Sequence, residues 1–190
     1  STYTIPAAAL TDAGNYALKL RVNGCESELA TTILDVKPLP VVPAIQSNSP
    51  LCEGETLTLE TAAQPGVIYS WVKAGQNLGA SEILSIGNAQ VSDAGMYELT
   101  ANLNGCSAVP ATLVVEVKSK PTRPVISNNG PLCTGEQAVL STQTLADQYV
   151  WSGVNGFTGS TAQVNVNNID VTQGGLYELY VVTNGCKSDV

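Results

Sequence analysis

Internal repetition constrains this chain more than any other feature of its sequence. A Leu-Cys-x-Gly-Glu motif at residues 51–55 recurs at residues 132–136, and Trp71 recurs at almost the same offset as Trp151. A third motif, Asn-Gly-Cys, occurs at residues 23–25, 104–106 and 184–186. Self-similarity at a nearly fixed period indicates several copies of one structural unit, here three.

Proline-rich joints separate the three copies. The first joint contains Pro38, Pro40 and Pro43, and the second contains Pro121 and Pro124. Proline favours extended, stiff spacers and blocks helix continuation. We therefore predict a C-terminal half-domain at residues 1–37, a complete domain at 38–118 and a nearly complete domain at 119–190, strung end to end. We expect both ends to have been cut from a longer protein.

The middle copy consists of short segments with the apolar patterns of β-strands. The predicted strands are residues 56–61, 67–72, 82–86, 96–103 and 111–117. No segment has apolar residues at helical spacing, and the 17 glycines and 10 prolines suit tight turns between strands. The sequence therefore predicts an all-β fold.

Three landmarks occur in the order that is typical of immunoglobulin-like domains. Gly54–Leu59 resembles strand B, Trp71 lies where strand C carries its core tryptophan, and Asp93–Tyr97 resembles the turn before strand F, which a tyrosine hydroxyl pins to nearby backbone. The sequence thus predicts tandem immunoglobulin-like β-sandwich domains. Their expected structural core residues are Trp71, Trp151, Tyr16, Tyr97 and Tyr177.

The cysteines depart from the antibody-domain pattern, in which the second cysteine follows the strand F tyrosine by two residues. In the middle copy that position is Leu99. Cys52 and Cys133 instead precede strand B, and Cys25, Cys106 and Cys186 follow Asn-Gly at the hairpin between strands F and G. Because strands B and F run the same way, these two positions lie roughly 23 Å apart, whereas bridged Cα atoms lie about 4.4–6.8 Å apart.

Two disulfide pairings stay open at this point. In the first, Cys52 bridges to Cys186 of the following domain, and Cys25, Cys106 and Cys133 pair with units outside this chain. In the second, Cys52 pairs with Cys106 and Cys133 with Cys186, which leaves Cys25 alone. Spacing does not fix the connectivity. Either pairing implies an oxidising compartment.

These residues resemble the immunoglobulin-like and PKD-like repeats of very large Bacteroidota surface proteins. The resemblance rests on the Leu-Cys-x-Gly-Glu opening, the closing Asn-Gly-Cys and the sequence Trp-Ser-Gly-x-Asn-Gly-Phe-Thr at residues 151–158, and it covers nearly the whole chain. Gliding-motility adhesins exported by the type IX secretion system are the leading example. The resemblance implies a surface filament or adhesin on the cell exterior.

Composition argues against several other classes of function. The net charge of −8, with only eight Lys and Arg, disfavours nucleic-acid binding, which needs clustered cations. There is no histidine, the commonest general base and metal ligand. No motif for a catalytic triad or a carboxylate pair is present, so we expect no enzyme activity, no cofactor and no metal. No run approaches the ~20 apolar residues of a membrane span, so we expect no membrane insertion.

The resemblance implies a structural repeat segment of an extracellular, cell-surface adhesin or filament, giving reach and attachment, with gliding motility as a candidate role. The alternative is a spacer or carbohydrate-binding module of a secreted multidomain enzyme. The expected partners are neighbouring repeats of the same chain and an extracellular ligand such as a surface polysaccharide. Weaker alternatives are sugar stacking on Trp71 and Trp151, a partner contact at Tyr180, and calcium at the joints.

Overall fold

The structure is a computed structural model that describes residues 2–190, and it is all-β. Strands in the first copy are β1 (Gly14–Leu18), β2 (Arg21–Val22), β3 (Cys25–Glu26) and β4 (Ala30–Leu34). Strands in the middle copy are β5 (Gln46–Ser47), β6 (Leu51–Cys52), β7 (Leu57–Glu60), β8 (Val67–Lys73), β9 (Gln76–Gly79), β10 (Ile83–Ile86), β11 (Gly95–Leu103), β12 (Cys106–Ser107), β13 (Ala111–Val115) and β14 (Val117–Lys118).

Strands in the third copy are β15 (Ile126–Asn128), β16 (Ala138–Thr142), β17 (Gln148–Gly153), β18 (Thr158–Gly159), β19 (Gln163–Val166), β20 (Tyr177–Thr183) and β21 (Cys186–Lys187). Helical structure within residues 2–190 is limited to single 3₁₀ turns at Leu10–Asp12, Val91–Asp93, Val154–Gly156 and Val171–Gln173.

All five strands predicted for the middle copy form, with bounds that shift by one or two residues. The fifth is divided into β13 and β14. The sequence did not reveal the two-residue strands such as β5, β6 and β12. Such short strands have too few residues to show alternation, and their neighbours determine whether they pair.

The chain divides into two compact units. Unit 1 comprises Ser1–Gln46, Glu60–Leu84 and Met96–Leu113, and unit 2 comprises Ser47–Leu59, Ser85–Gly95 and Val114–Val190. Each unit contains one of the two proline-rich joints. The domain boundaries expected at residues 37/38 and 118/119 stay predictions.

In unit 1, the long strand β8 lies between β9 and β11. Alternate side chains are fully buried on these strands, among them Tyr69, Trp71 and Leu99. The polar tips of the two rings are satisfied: the Trp71 Nε1–H donates to the Ser81 carbonyl at 2.8 Å, and the Tyr69 hydroxyl donates to the Ala62 carbonyl at 2.9 Å. Burial of these two rings therefore leaves neither polar tip without a partner.

Unit 1 also contains a small sheet with an open apolar face, formed by β1 and β4. An Asp-Ala-Gly-x-Tyr motif occurs at residues 12–16 and again at residues 93–97. Tyr16 is half-buried and Leu18 is 59% exposed, whereas Tyr97 and Leu99, at the corresponding positions of the middle copy, are fully buried. The face borders an open cleft of about 1080 Å³ lined mainly by apolar side chains of residues 3–34. Two strands without an opposing layer cannot bury their apolar side.

In unit 2, residues 126–187 form a two-layer antiparallel sandwich. One sheet has the order β15-β16-β19 and the other the order β18-β17-β20-β21. Leu140 of the first sheet packs against Trp151, Leu179 and Val181 of the second. This strand order, with the tryptophan on the third strand of the sandwich, is that of an immunoglobulin-like β-sandwich. The predicted all-β, immunoglobulin-like character is therefore confirmed for this part of the chain, and the tandem arrangement of several such domains stays a prediction.

Candidate functional site: a disulfide-bonded joint

The hairpin that closes the third copy presents Cys186 at the start of β21. Asn184 and Gly185 both have positive φ, at 53° and 82°, as a type I′ turn requires. Asn and Gly tolerate this conformation better than other residues, which explains the Asn-Gly sequence. The turn pairs Thr183 with Cys186 across the hairpin, and Cys186 is fully buried.

Cys52 is the last residue of β6 and begins a tight turn. Its backbone N–H donates to Glu55 Oε2 at 2.8 Å, and the Glu55 N–H donates back to the Cys52 carbonyl at 3.1 Å. Gly54 occupies the left-handed region within this turn, with φ of 92°. β6 pairs in parallel with β14, with Cys52 opposite Lys118. The last strand before the second joint therefore lies beside Cys52.

A disulfide joins Cys52 to Cys186, with their Cα atoms 5.6 Å apart. It connects the predicted middle domain to the predicted third domain, as in the first of the two pairings that the sequence left open. Of the described cysteines, Cys25, Cys106 and Cys133 are free, so neither bridge of the second pairing is formed. The placement of their partners outside this chain stays a prediction.

Polar contacts flank the disulfide on both sides. The Lys118 ammonium donates to the Asn184 carbonyl at 3.4 Å, and Lys120 forms an ion pair with Asp189 at 2.6 Å. The Lys120 backbone N–H also donates to Glu53 Oε2 at 3.4 Å. Exposed ion pairs of this kind contribute about 0–1 kcal/mol, so the covalent bond dominates the stability of the joint.

The first joint, in unit 1, repeats part of this arrangement. The Lys37 ammonium donates to the Asn104 carbonyl at 3.2 Å, as Lys118 does to Asn184. Asn104 and Gly105 adopt the same left-handed turn, with φ of 52° and 89°. These lysines were not predicted as joint residues, although both follow the cysteine of an Asn-Gly-Cys motif at the same spacing. The constant spacing from cysteine to lysine could have identified these lysines from the sequence.

The turn that holds the free Cys133 has the same conformation as the turn that holds Cys52. The Cys133 N–H donates to Glu136 Oε2, and Gly135 has φ of 94°. The disulfide is thus not needed to shape the turn. The Cys-x-Gly-Glu sequence is sufficient, because the glutamate caps the cysteine N–H and the glycine accepts positive φ.

The two tryptophans are core residues. Trp151 is 1% exposed, and its Nε1–H donates to the Thr161 carbonyl at 2.8 Å, the counterpart of the Trp71 hydrogen bond. Buried indole faces are not available to stack on a sugar from solvent.

The half-buried Tyr180 contacts Lys187, whose Nζ lies 3.6 Å from the ring centroid.

Two of the predicted turn tyrosines, Tyr16 and Tyr177, make the same hydrogen bond to the turn before them. The Tyr16 hydroxyl donates to the Asp12 carbonyl at 2.9 Å, and the Tyr177 hydroxyl donates to the Gln173 carbonyl at 3.0 Å, four residues upstream in each case. Tyr97 is fully buried, with Lys73 Nζ 5.4 Å from its ring centroid. The hydroxyls of Tyr16 and Tyr177 thus pin the 3₁₀ turns that precede β1 and β20.

Replacing Tyr177 with phenylalanine is expected to lower the free energy of unfolding by about 0.5–1.5 kcal/mol, because one hydrogen bond is lost and the ring stays. Urea denaturation followed by circular dichroism measures the change. Tyr180→Phe is the control, since it removes a hydroxyl from a partly exposed ring on the same strand. Equal effects of the two substitutions would contradict a role of the Tyr177 hydroxyl in pinning the turn.

Asp170 caps the 3₁₀ turn that precedes Tyr177. The Thr172 hydroxyl donates to Asp170 Oδ1 at 2.6 Å and the Thr172 N–H donates at 2.7 Å. These hydrogen bonds stabilise the carboxylate and lower the pKa of Asp170 below its ordinary value. The stabilisation is therefore present at neutral pH and is lost as the pH falls through the lowered pKa.

Two other kinds of functional feature are not found in the described part of the chain. Over residues 2–190 no three histidine, cysteine or acidic side chains are grouped as metal ligands would be. No helix in that range is long and apolar enough to cross a membrane.

The disulfide connectivity predicts a definite peptide map. Digestion under non-reducing conditions is expected to yield one linked pair, containing Cys52 and Cys186. Alkylation before reduction is expected to label Cys25, Cys106 and Cys133. A linked peptide containing Cys52 and Cys106 would contradict this connectivity.

Comparisons with known proteins give similarity in structure alone. No protein-family model matches the chain, and no curated protein matches it in sequence. One similar solved structure, of a mouse coronavirus receptor-binding domain complexed with its murine receptor, has 13% identity and a TM-score of 0.45 and covers 77% of this chain and 96% of that chain. Murine CEACAM1b has 13% identity, a TM-score of 0.41 and the same two coverages.

A third similar structure contains three N-terminal domains of the Highly Immunogenic Outer Capsid protein of bacteriophage RB49. It has 19% identity and a TM-score of 0.41, and the match covers 77% of this chain and 58% of that chain. At these identities and TM-scores, none of the three similarities carries an argument about function.

Proposed function

We propose that the chain is a structural segment of an extracellular bacterial adhesin or surface filament, in which tandem immunoglobulin-like domains give reach and attachment. Gliding motility, with export by the type IX secretion system, is the specific setting that the sequence resemblance suggests. In this proposal the chain has no catalytic role. Its partners are the neighbouring repeats and an extracellular ligand such as a surface polysaccharide.

The disulfide between Cys52 and Cys186 is the observation that carries this proposal. A covalent bridge across a proline-rich joint restricts the movement of one repeat relative to the next. Such a restriction suits a segment that must hold its extension, whereas a flexible tether to a catalytic domain needs none. A disulfide is also what an oxidising, extracellular setting favours.

Immunogold electron microscopy of intact cells of the source bacterium, with antibodies raised against this chain, tests the proposal. Label on extended surface structures, together with loss of surface attachment when the gene is deleted, is the expected result. If the cells carry no label and the antibodies instead detect a secreted enzyme in the culture medium, the spacer or carbohydrate-binding alternative is supported.

A glycan array tests direct ligand binding by the chain itself. Binding is not expected to depend on Trp71 or Trp151, because their rings are buried. Tyr180→Ala is the informative variant, because its ring is partly exposed. Glycan binding that this substitution abolishes would assign the attachment function to this segment and not to a distal region of the protein.

A further inference from the structure

The position of the disulfide in the chain has a mechanical consequence. Cys52 and Cys186 are separated by 134 residues along the sequence, but their Cα atoms lie 5.6 Å apart. A force applied to the two ends of the chain therefore passes from Cys52 through the sulfur atoms to Cys186. The enclosed residues 53–185 lie outside this covalent path.

We infer that the Cys52–Cys186 disulfide is a mechanical bypass that protects residues 53–185 from being stretched out under tension. The enclosed part contains β7–β20 and with them the complete core of Leu140, Trp151, Leu179 and Val181. Local unfolding inside the loop cannot lengthen the protein while the bond is intact. Any surface on the enclosed sandwich thus stays folded under load.

The contacts at the joint hold both ends of the bypass in place. The chain that enters Cys52 is β6, which pairs with β14, where the Leu51 N–H donates to the Glu116 carbonyl and the Glu53 N–H donates to the Lys118 carbonyl. The chain that leaves Cys186 is β21, which pairs with β20. Cys186 is fully buried and Cys52 is half-buried, so a reductant in solution reaches the bond from the Cys52 side.

Single-molecule pulling of the full chain through terminal tags tests the bypass. A stretched chain spans about 3.3–3.6 Å per residue, so the oxidised protein is expected to release only about 200 Å, from the residues outside the loop. Pulling in the presence of a dithiol reductant is expected to release about 440–480 Å more. The Cys52→Ala and Cys186→Ala double variant should give the long extension without reductant.

A variant with Cys106→Ser and Cys133→Ser is the matched control, because it keeps the bypass and removes the two cysteines of the other pairing. It is expected to extend like the parent chain under oxidising conditions. Equal extension of the oxidised and reduced parent would overturn the inference. If the bridges were instead Cys52–Cys106 and Cys133–Cys186, the reduced parent would extend only about 350–390 Å further than the oxidised parent. That result would also overturn the inference.

The inference rests on the proposed function in one respect, namely that the protein carries tension in use. The two can fail separately. Full extension of the oxidised chain would exclude the bypass and leave the surface location open, whereas an absence of label on cells would exclude the surface role and leave the measured bypass intact.

Discussion

Removal of the Cys52–Cys186 disulfide is expected to lower the free energy of unfolding of unit 2 by about 2–5 kcal/mol. Closing a loop of this length removes conformational entropy from the unfolded chain, and the chain-entropy relation gives about 5 kcal/mol for 134 residues. Alanine is the suitable replacement at both positions, because Cys186 is fully buried and a serine hydroxyl there would need a hydrogen-bond partner. Urea denaturation followed by circular dichroism measures the effect.

Cys133→Ala provides the control for this substitution. Cys133 lies in a turn with the same conformation as the Cys52 turn, but its thiol is free and exposed. Its replacement is expected to change the free energy of unfolding by less than about 0.5 kcal/mol. A double variant as stable as the Cys133 variant would show that the disulfide does not stabilise the joint.

Trp151→Ala is expected to lower the free energy of unfolding of the sandwich at residues 126–187 by about 3–5 kcal/mol. The indole packs between the two sheets against Leu140, Leu179 and Val181, so its removal leaves a cavity in a small core. The hydrogen bond to the Thr161 carbonyl is lost as well. Small sandwiches have little stability to spare, so this substitution should shift the urea midpoint strongly.

Leu145→Ala tests whether the loss at Trp151 comes from the core. Leu145 is also a large apolar residue of the third copy, but it is 92% exposed, and its truncation is expected to cost less than about 0.5 kcal/mol. If Trp151→Ala costs less than about 1 kcal/mol, the tryptophan is not the centre of this core. The loss of unfolding free energy for Trp151→Phe should fall between those for Leu145→Ala and Trp151→Ala, because phenylalanine keeps an aromatic ring but loses the hydrogen bond.

Local sequence predicted most of the strands and the interior. Alternation at residues 56–61 and 67–72 identified the two strands whose inward side chains, Leu57, Leu59 and Trp71, are fully buried. The Asp-Ala-Gly-x-Tyr motif predicted a turn that Tyr16 closes with a hydrogen bond to Asp12. These features are predictable because strand periodicity and turn chemistry depend on residues close together in the sequence.

The lysine contacts at the joints were not predicted, although their spacing was regular. Neither lysine has a local feature that distinguishes it from an ordinary surface cation. Its acceptor, the carbonyl of Asn104 or Asn184, lies 67 or 66 residues away. Only the fold brings such groups together.

Short-range patterns in the chain were enough to predict the all-β character and the buried tryptophans, because each depends on residues close together in the sequence. They also account for the shape of the cysteine turns. Which cysteines are bonded was established by the folded chain. Cys52 had two candidate partners, Cys106 and Cys186, and no local signal separates them. The pairing depends on a long-range contact, between residues 134 positions apart in the chain, which only the packing of the strands can bring within bonding distance.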